Sequence, residues 1–361
     1  MTSDGDDRQT CDGLRERLWA AAIDGDEFTA VDVVFGALEQ GTPAEDVLLD
    51  VIARVQQRVG TEWAANRITV AQEHAATAIN DRVIAALAHH PSVRRPASVG
   101  RVTVACVDGE WHAMPARLLA ETLRLHGWQV DFLGAQVPTP HLVAHINQHG
   151  PGVVALSCSI ATRLPTAHAA ITACQSAGVP VLVGGAAFGA DGRLAKLLGA
   201  DAWAPDARSA AARLAQGFEP LSVTRAHHVV DDLPHLADQE YTLVRDSSTR
   251  LVQATMVALG ERLPDMAGYT DLQRQHTSAD IAHIVDFLAT ALYTDDDDLF
   301  AQFIGWTADI LEARGVPAAT LVPTLDSLAD QLTEFPRARR LLHNARAGLP
   351  DPLTADPKLP A

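Results

Sequence analysis

A histidine two residues beyond a glutamate, in Asp108-Gly109-Glu110-Trp111-His112, is a pairing suited to holding a transition metal. Neutral imidazole ligates through one ring nitrogen, and a carboxylate accepting from the other fixes the tautomer and raises the ligand's basicity. Two further stations follow, Ser157-Cys158-Ser159 and Gly184-Gly185. Glycine permits close backbone approach to a large flat ligand, and small hydroxyl residues leave room for a chain to slide between strand and helix. Taken alone, His112 reads as well as a surface residue, and the Gly-Gly pair as ordinary turn chemistry. Upstream, Trp63 is followed ten residues later by Glu73-His74. An indole, a carboxylate and an imidazole in one helical hairpin can cover a ligand from above. Without further context they read first as a core anchor, a capping acid and a solvated histidine.

These residues need elements to present them. Residues 12 to 90 carry apolar side chains at helical spacing, for example Leu48, Val51, Ile52, Val55 and Val59, then Ala76, Ile79, Val83 and Leu87, which predicts a small bundle. Thr42 reads as a cap before a first-turn Pro43, and Pro91 with Arg94-Arg95-Pro96 as the closing linker. From residue 101 short β-rich runs alternate with helices, at 102–107, 130–133, 153–157 and 181–183, with a last short strand ending at Trp203. That alternation predicts an α/β region with a doubly wound parallel sheet, Gly127 and Gly178 ending helices. In such a sheet ligands sit beyond the carboxyl ends of the strands, where the His112, Ser157 and Gly184 loops all fall. Later residues return to helical periodicity through Ile281, Ile284, Val285 and Leu288, then Leu299, Phe300, Phe303 and Ile304. The expected division is a helical bundle over 1–96, a Rossmann-like domain over 97–222 and an all-α domain over 223–361. The run Asp295 to Asp298 lacks the alternating ligands, central glycine and closing glutamate of a calcium loop, and reads as an acidic helix start.

The formal net charge of the 361 residues is −17, which argues against direct nucleic-acid binding, since phosphate neutralisation needs clustered Lys and Arg. No apolar run approaches the ~20 residues that span a bilayer, and the polar, acidic start is unlike a signal peptide, so the expectation is a cytoplasmic protein without membrane contact. Cys11, Cys106, Cys158 and Cys174 form no CxxC pair or disulfide framework.

In order and placement, Glu110-Trp111-His112, Ser157-x-Ser159 and Gly184-Gly185 resemble the DxHxxG, SxL/SxT and GG loops of cobalamin-binding domains. The resemblance implies that His112 is the lower axial ligand of cobalt and Glu110 its partner. The Asp108-Gly109 turn, Ser157, Ser159, Gly184 and Gly185 would then line the cofactor and its displaced nucleotide tail. Pro115 stands where the family has glycine, and Ser159 replaces its Leu or Thr. A helical bundle before such a domain is the arrangement of methionine synthase and of CarH-type light sensors, and Trp63-x9-Glu73-His74 resembles the W-x9-EH signature of the latter. That resemblance implies adenosylcobalamin, with Trp63, Glu73 and His74 over its upper face, and photolysis changing conformation or self-association. CarH-type proteins place a histidine directly after the tryptophan, where this chain has Ala64, and begin with a basic DNA-binding domain, where about a dozen polar residues precede this bundle. The implied output is a light-dependent homo-oligomer acting on another protein, without enzyme chemistry of its own.

With its C-terminal helical domain the chain also resembles photocobilins, which implies biliverdin as a second chromophore. Arg274, His276, His283, Tyr293 and Trp306 are the candidate contacts, with Arg337, Arg339, Arg340 and His343 as a cationic cluster; each reads as well as core packing or a helix-end partner. No cysteine follows Cys174, so the bilin would be held non-covalently unless Cys11 reaches it. The competing readings are a corrinoid protein for methyl transfer, with compact apolar caps in place of Trp63 and Glu73-His74, and a module that stores or delivers cobalamin.

Overall fold

The computed structural model describes residues 3–218 and 233–350, and the chain divides into two compact units, Met1–Val230 and Asp231–Ala361. The boundary expected at 222/223 lies outside the described residues. In the first unit a bundle is built from α1 (Ser3–Ile23), α2 (Glu27–Glu39), α3 (Ala44–Asp46), a π-helical segment Val47–Ile52, α4 (Ala53–Ala64) and α5 (Val70–His89). Leu18, Leu48, Ile52, Val55, Ile84 and Leu87 are essentially inaccessible and form its core. Helix starts are fixed by side chains: Asp26 accepts from the Thr29 amide, and Thr69 exchanges bonds with Gln72 in a capping box. The cap expected of Thr42 is not made. Pro43 itself is the cap residue, with no side-chain cap bond, because the helix begins one residue later than the proline pattern suggests. Helix α1 also begins earlier than the apolar pattern, since helix propagates through polar residues once a packed turn nucleates it.

After the linker comes a five-stranded, all-parallel sheet of β1 (Gly100–Cys106), β2 (Trp128–Gly134), β3 (Val153–Ser157), β4 (Val181–Gly184) and β5 (Ala202–Trp203), in the order β2-β1-β3-β4-β5. The connecting helices are α6 (Ala113–Leu125), α7 (Thr139–His149), α8 (Leu164–Ser176) and α9 (Arg193–Leu197), followed by α10 (Ala207–Ala215). Every residue of β3 is buried, as a strand covered on both faces requires. Gly127 and Gly178 take positive φ just past α6 and α8, turning the chain into the next strand. Strand order reverses between β1 and β3, so the ligand crevice of this topology opens at their carboxyl ends. Register brings the three stations together there: Cys106 pairs with Ser157, and Ser157 with Gly184.

The second unit is helical: α11 (Glu240–Asp246), α12 (Ser248–Arg262), α13 (Asp271–Thr294), α14 (Asp297–Ala313), α15 (Val322–Gln331) and α16 (Pro336–Ala347). Ile284, Val285, Leu288, Phe300, Leu328 and Leu342 fill its core. The buried Glu240 carboxylate accepts from the Arg337 and Ala338 amides and so caps α16 from another helix. Asp296 caps α14 through the Leu299 amide, the acidic helix start expected of the Asp295–Asp298 run.

Candidate functional site

The loop after β1 is organised by Glu110, whose side chain is fully buried. Its Oε2 accepts from the amides of Ser159 (2.6 Å) and Ile160 (3.0 Å) in the loop after β3. Its Oε1 accepts from the His112 amide (2.8 Å) and lies 2.7 Å from His112 Nδ1. Burial alone would raise the Glu110 pKa; the bonds from His112, Ile160 and Ser159 overcome it and hold the carboxyl down at about 2. A carboxylate so held accepts a hydrogen bond from Nδ1–H and leaves Nε2 available, on a side chain that is 58% exposed. His112 is pushed up in pKa by Glu110, against partial burial, and Glu73 of the bundle adds to the same direction. Asp108 is exposed, and Gly109 turns at φ +77° with the Arg163 guanidinium close above it, so that a Cβ would stand about 3.1 Å from Arg163.

Between α6 and the ends of β3 and β4 runs a cavity of about 100 Å³, lined by Ala116, Leu119, Leu156, Ser157, Gly184 and Gly185 among others. Ser157 Oγ is buried in its wall without a hydrogen-bond partner, an unmet polar group of the kind a bound ligand satisfies. Gly185 takes φ +103°, and a Cβ there would overlap the Cys158 carbonyl, so the two strand-end loops close on each other only through glycine. Pro115 sits in the first turn of α6, where its missing N–H costs nothing, and also lines the cavity. Ser159 serves through its backbone amide on Glu110.

Two family models, each described as a B12 binding domain, match residues 14–88 and 100–215. These segments form a B12-binding module. CarA of Myxococcus xanthus, an HTH-type transcriptional repressor, is 33% identical over 181 residues, which cover 48% of this chain and 58% of that protein. CarH of the same organism, also an HTH-type transcriptional repressor, is 30% identical over 186 residues, 50% of this chain and 60% of that one. The chain thus spans about three-fifths of the length of these two relatives. The trimethylamine corrinoid protein of Methanosarcina barkeri is 24% identical over 200 residues, 54% of this chain and 91% of that protein. The solved monomethylamine corrinoid protein of Methanosarcina barkeri shares the fold, with a TM-score of 0.50 at 21% identity, over 56% of this chain and 97% of that one. The names of CarA and CarH overturn the exclusion of nucleic acid drawn from charge. A net charge summed over a whole chain does not bear on DNA contact, which one helix-turn-helix makes through a few local cations.

The chemistry of the donor set fits the cofactor of a B12-binding module. Among the described residues no group of three or more His, Cys, Asp or Glu could hold a metal ion, and His112 offers a single imidazole near the unpartnered Ser157 Oγ of the neighbouring strand end. In the bundle, Trp63 lies at the end of α4, partly buried against the bundle core. Glu73 lies in the first turn of α5, accepts from Thr77 Oγ1 (3.0 Å) and pairs with the exposed His74 through Nδ1. Sequence reasoning missed Thr77, although its spacing of four from Glu73 places both on one helix face. Arg163 and the Ser159 and Ile160 amides were also missed; backbone donors carry no side-chain signal.

In the helical unit the candidate bilin contacts have different partners. His276 and His283 lie exposed along α13, on the helix face that continues to Phe287. Phe287 stacks on Phe303 of α14 (3.6 Å between centroids), and Phe303 neighbours the half-exposed Trp306. Arg274 instead bonds the Ala267 carbonyl, and Tyr293 packs edge-on against Tyr241, where burial pushes its phenol up to about 12. Arg337 is taken by Asp238, Asp295 and the carbonyls of His235 and Leu292, and Arg340 by Asp297. No helix among the described residues is long and apolar enough to cross a membrane.

Proposed function

We propose that the chain senses light with adenosylcobalamin and passes the signal on by a change in conformation or self-association. In this reading His112 Nε2 ligates cobalt from below, held by Glu110. Ser157, Gly184 and Gly185 take the displaced nucleotide tail, while Trp63, Glu73 and His74 cover the upper face. The observation that carries the reading is the Trp63-x9-Glu73-His74 stretch, which spans the end of α4 and the first turns of α5 in the bundle that precedes the His112 loop. When bound, adenosylcobalamin supplies a cobalt–carbon bond that light breaks. Without that group Trp63 and Glu73 would have nothing to cover, and the bundle would be free to shift on the sheet. The joint between them combines apolar packing of Met114, Leu118 and Leu125 of α6 against the bundle core with polar pairs from Arg208 to Asp46 and Asp50 and from His126 to Glu45. The output runs through self-association, and the kinship with two HTH-type transcriptional repressors supports a regulatory role without catalysis. Support for a second, non-covalent chromophore, biliverdin, is confined to the strip of His276, His283, Phe287, Phe303 and Trp306.

A methyl-transfer role is the second reading, favoured by the 91% coverage of the trimethylamine corrinoid protein. Affinity in darkness separates the two. The light-sensing reading predicts at least tenfold tighter binding of adenosylcobalamin than of methylcobalamin, and loss of that preference in Trp63→Ala. Equal binding of both forms, unchanged in the variant, favours methyl transfer.

A further inference from the structure

A second cavity, of about 250 Å³, lies where the bundle meets the sheet domain, far along α6 from the His112 loop. Its walls are apolar, from Leu87 at the end of α5, Leu125 of α6 and Trp128 at the start of β2. Its rim is cationic, from Arg94 and Arg95 of the linker and Arg124 of α6. The carboxylate of Glu121 is buried at the same cavity, but Arg117 and Arg124 both pair with it, so the local charge stays positive. Neither Arg94 nor Arg95 pairs with any acid among the described residues, although the chain carries 45 acidic residues against 28 basic ones. In such a chain two adjacent arginines left without carboxylates are a local field that selects anions. An adjoining cavity of about 420 Å³ shares Val93, Arg95 and Leu125, and the two together offer the room of a small-molecule site, commonly 300–1,000 Å³.

We propose that this linker cavity is a binding site for a small anion with a flat apolar body, its ring between Trp128 and the leucines and its phosphate or carboxylate on Arg94 and Arg95. Guanidinium groups grip such oxyanions in a fork, and indole gives the ring a flat face. Since α5, the linker and α6 all line the cavity, a bound molecule sets the spacing of bundle and sheet domain. The ligand would act as an effector of whatever cofactor the module holds; the site itself does not depend on the light-sensing reading.

The test is equilibrium dialysis of the full chain against 1-naphthyl phosphate, 1-naphthol and inorganic phosphate, repeated with the Arg94→Ala/Arg95→Ala double variant. The expected result is saturable binding of 1-naphthyl phosphate at one site, at least tenfold tighter than either fragment and weakened at least tenfold in the double variant. Both arginines are exposed and outside the His112 loop, so cobalamin binding in the variant reports that the fold is kept. Absence of saturable binding overturns the proposal, as does equal binding of 1-naphthol or indifference to the double substitution.

Discussion

Glu110 is the residue on which the lower face turns, because one buried carboxylate fixes both the His112 ring and the loop after β3. Replacing it by Gln keeps the volume but removes the charge and one acceptor oxygen from three backbone amides and an imidazole. Partners of this kind are worth about 10–100-fold in metal affinity. Titration of Glu110→Gln with cobalamin is therefore expected to give a loss in that range; full affinity would mean that His112 needs no such partner. Gly185 tests the other loop. Its φ of +103° and the Cys158 carbonyl where a Cβ would stand make Gly185→Ala costly by about 2 kcal/mol or more, read as a fall in unfolding free energy. A neutral outcome would show that the loop has room to move.

Between elements, the bundle is held to the sheet domain by apolar packing of Met114, Leu118 and Leu125 of α6 and by a polar cluster beside it. Arg208 of α10 reaches Asp46 and Asp50, at 2.6 Å each, from the short helix and the π-helical segment, and His126 bonds Glu45 at 2.8 Å. π-Helical turns recur where a protein has functional use for a locally unfavourable backbone, and this one carries the joint. Asp50 is pulled below its ordinary value of 3.8, first by the hydrogen bond from Arg208, against partial burial, and then by that residue's charge. A carboxylate depressed in the folded state contributes stability above the unfolded pKa and loses it as pH falls through the folded value. Thermal unfolding is thus expected to show Arg208→Ala less stable than the parent by about 1 kcal/mol near neutral pH, with the gap closing below about pH 3.8. A gap that persists in acid would assign the effect to packing instead of charge.

At the scale of the whole molecule, the order of bundle, sheet and helices is legible in hydrophobic period alone, and so is the meeting of three loops. Parallel strands ending in register place Ser157 and Gly184 beside the β1 loop as soon as the strands themselves are recognised. Less was legible where partners are remote or lack side chains. Nothing in the sequence around Glu110 signals that amides 49 and 50 residues away will hold it, nor does Arg208 signal a carboxylate 158 residues back. Net charge misled for a related reason, since it averages away the local cations on which nucleic-acid contact depends. The helical unit was read from candidate residue types alone, and folding gives Arg274 and Tyr293 partners of their own, the Ala267 carbonyl and the Tyr241 ring. The account stands on the bundle answering to the cofactor's upper face. Since bleaching also occurs in free adenosylcobalamin, the measurement that tests it most directly is sedimentation velocity of the chain loaded with adenosylcobalamin, in darkness and after green light. The account predicts a shift in sedimentation coefficient on illumination that the Trp63→Ala variant lacks; identical profiles before and after light would contradict it.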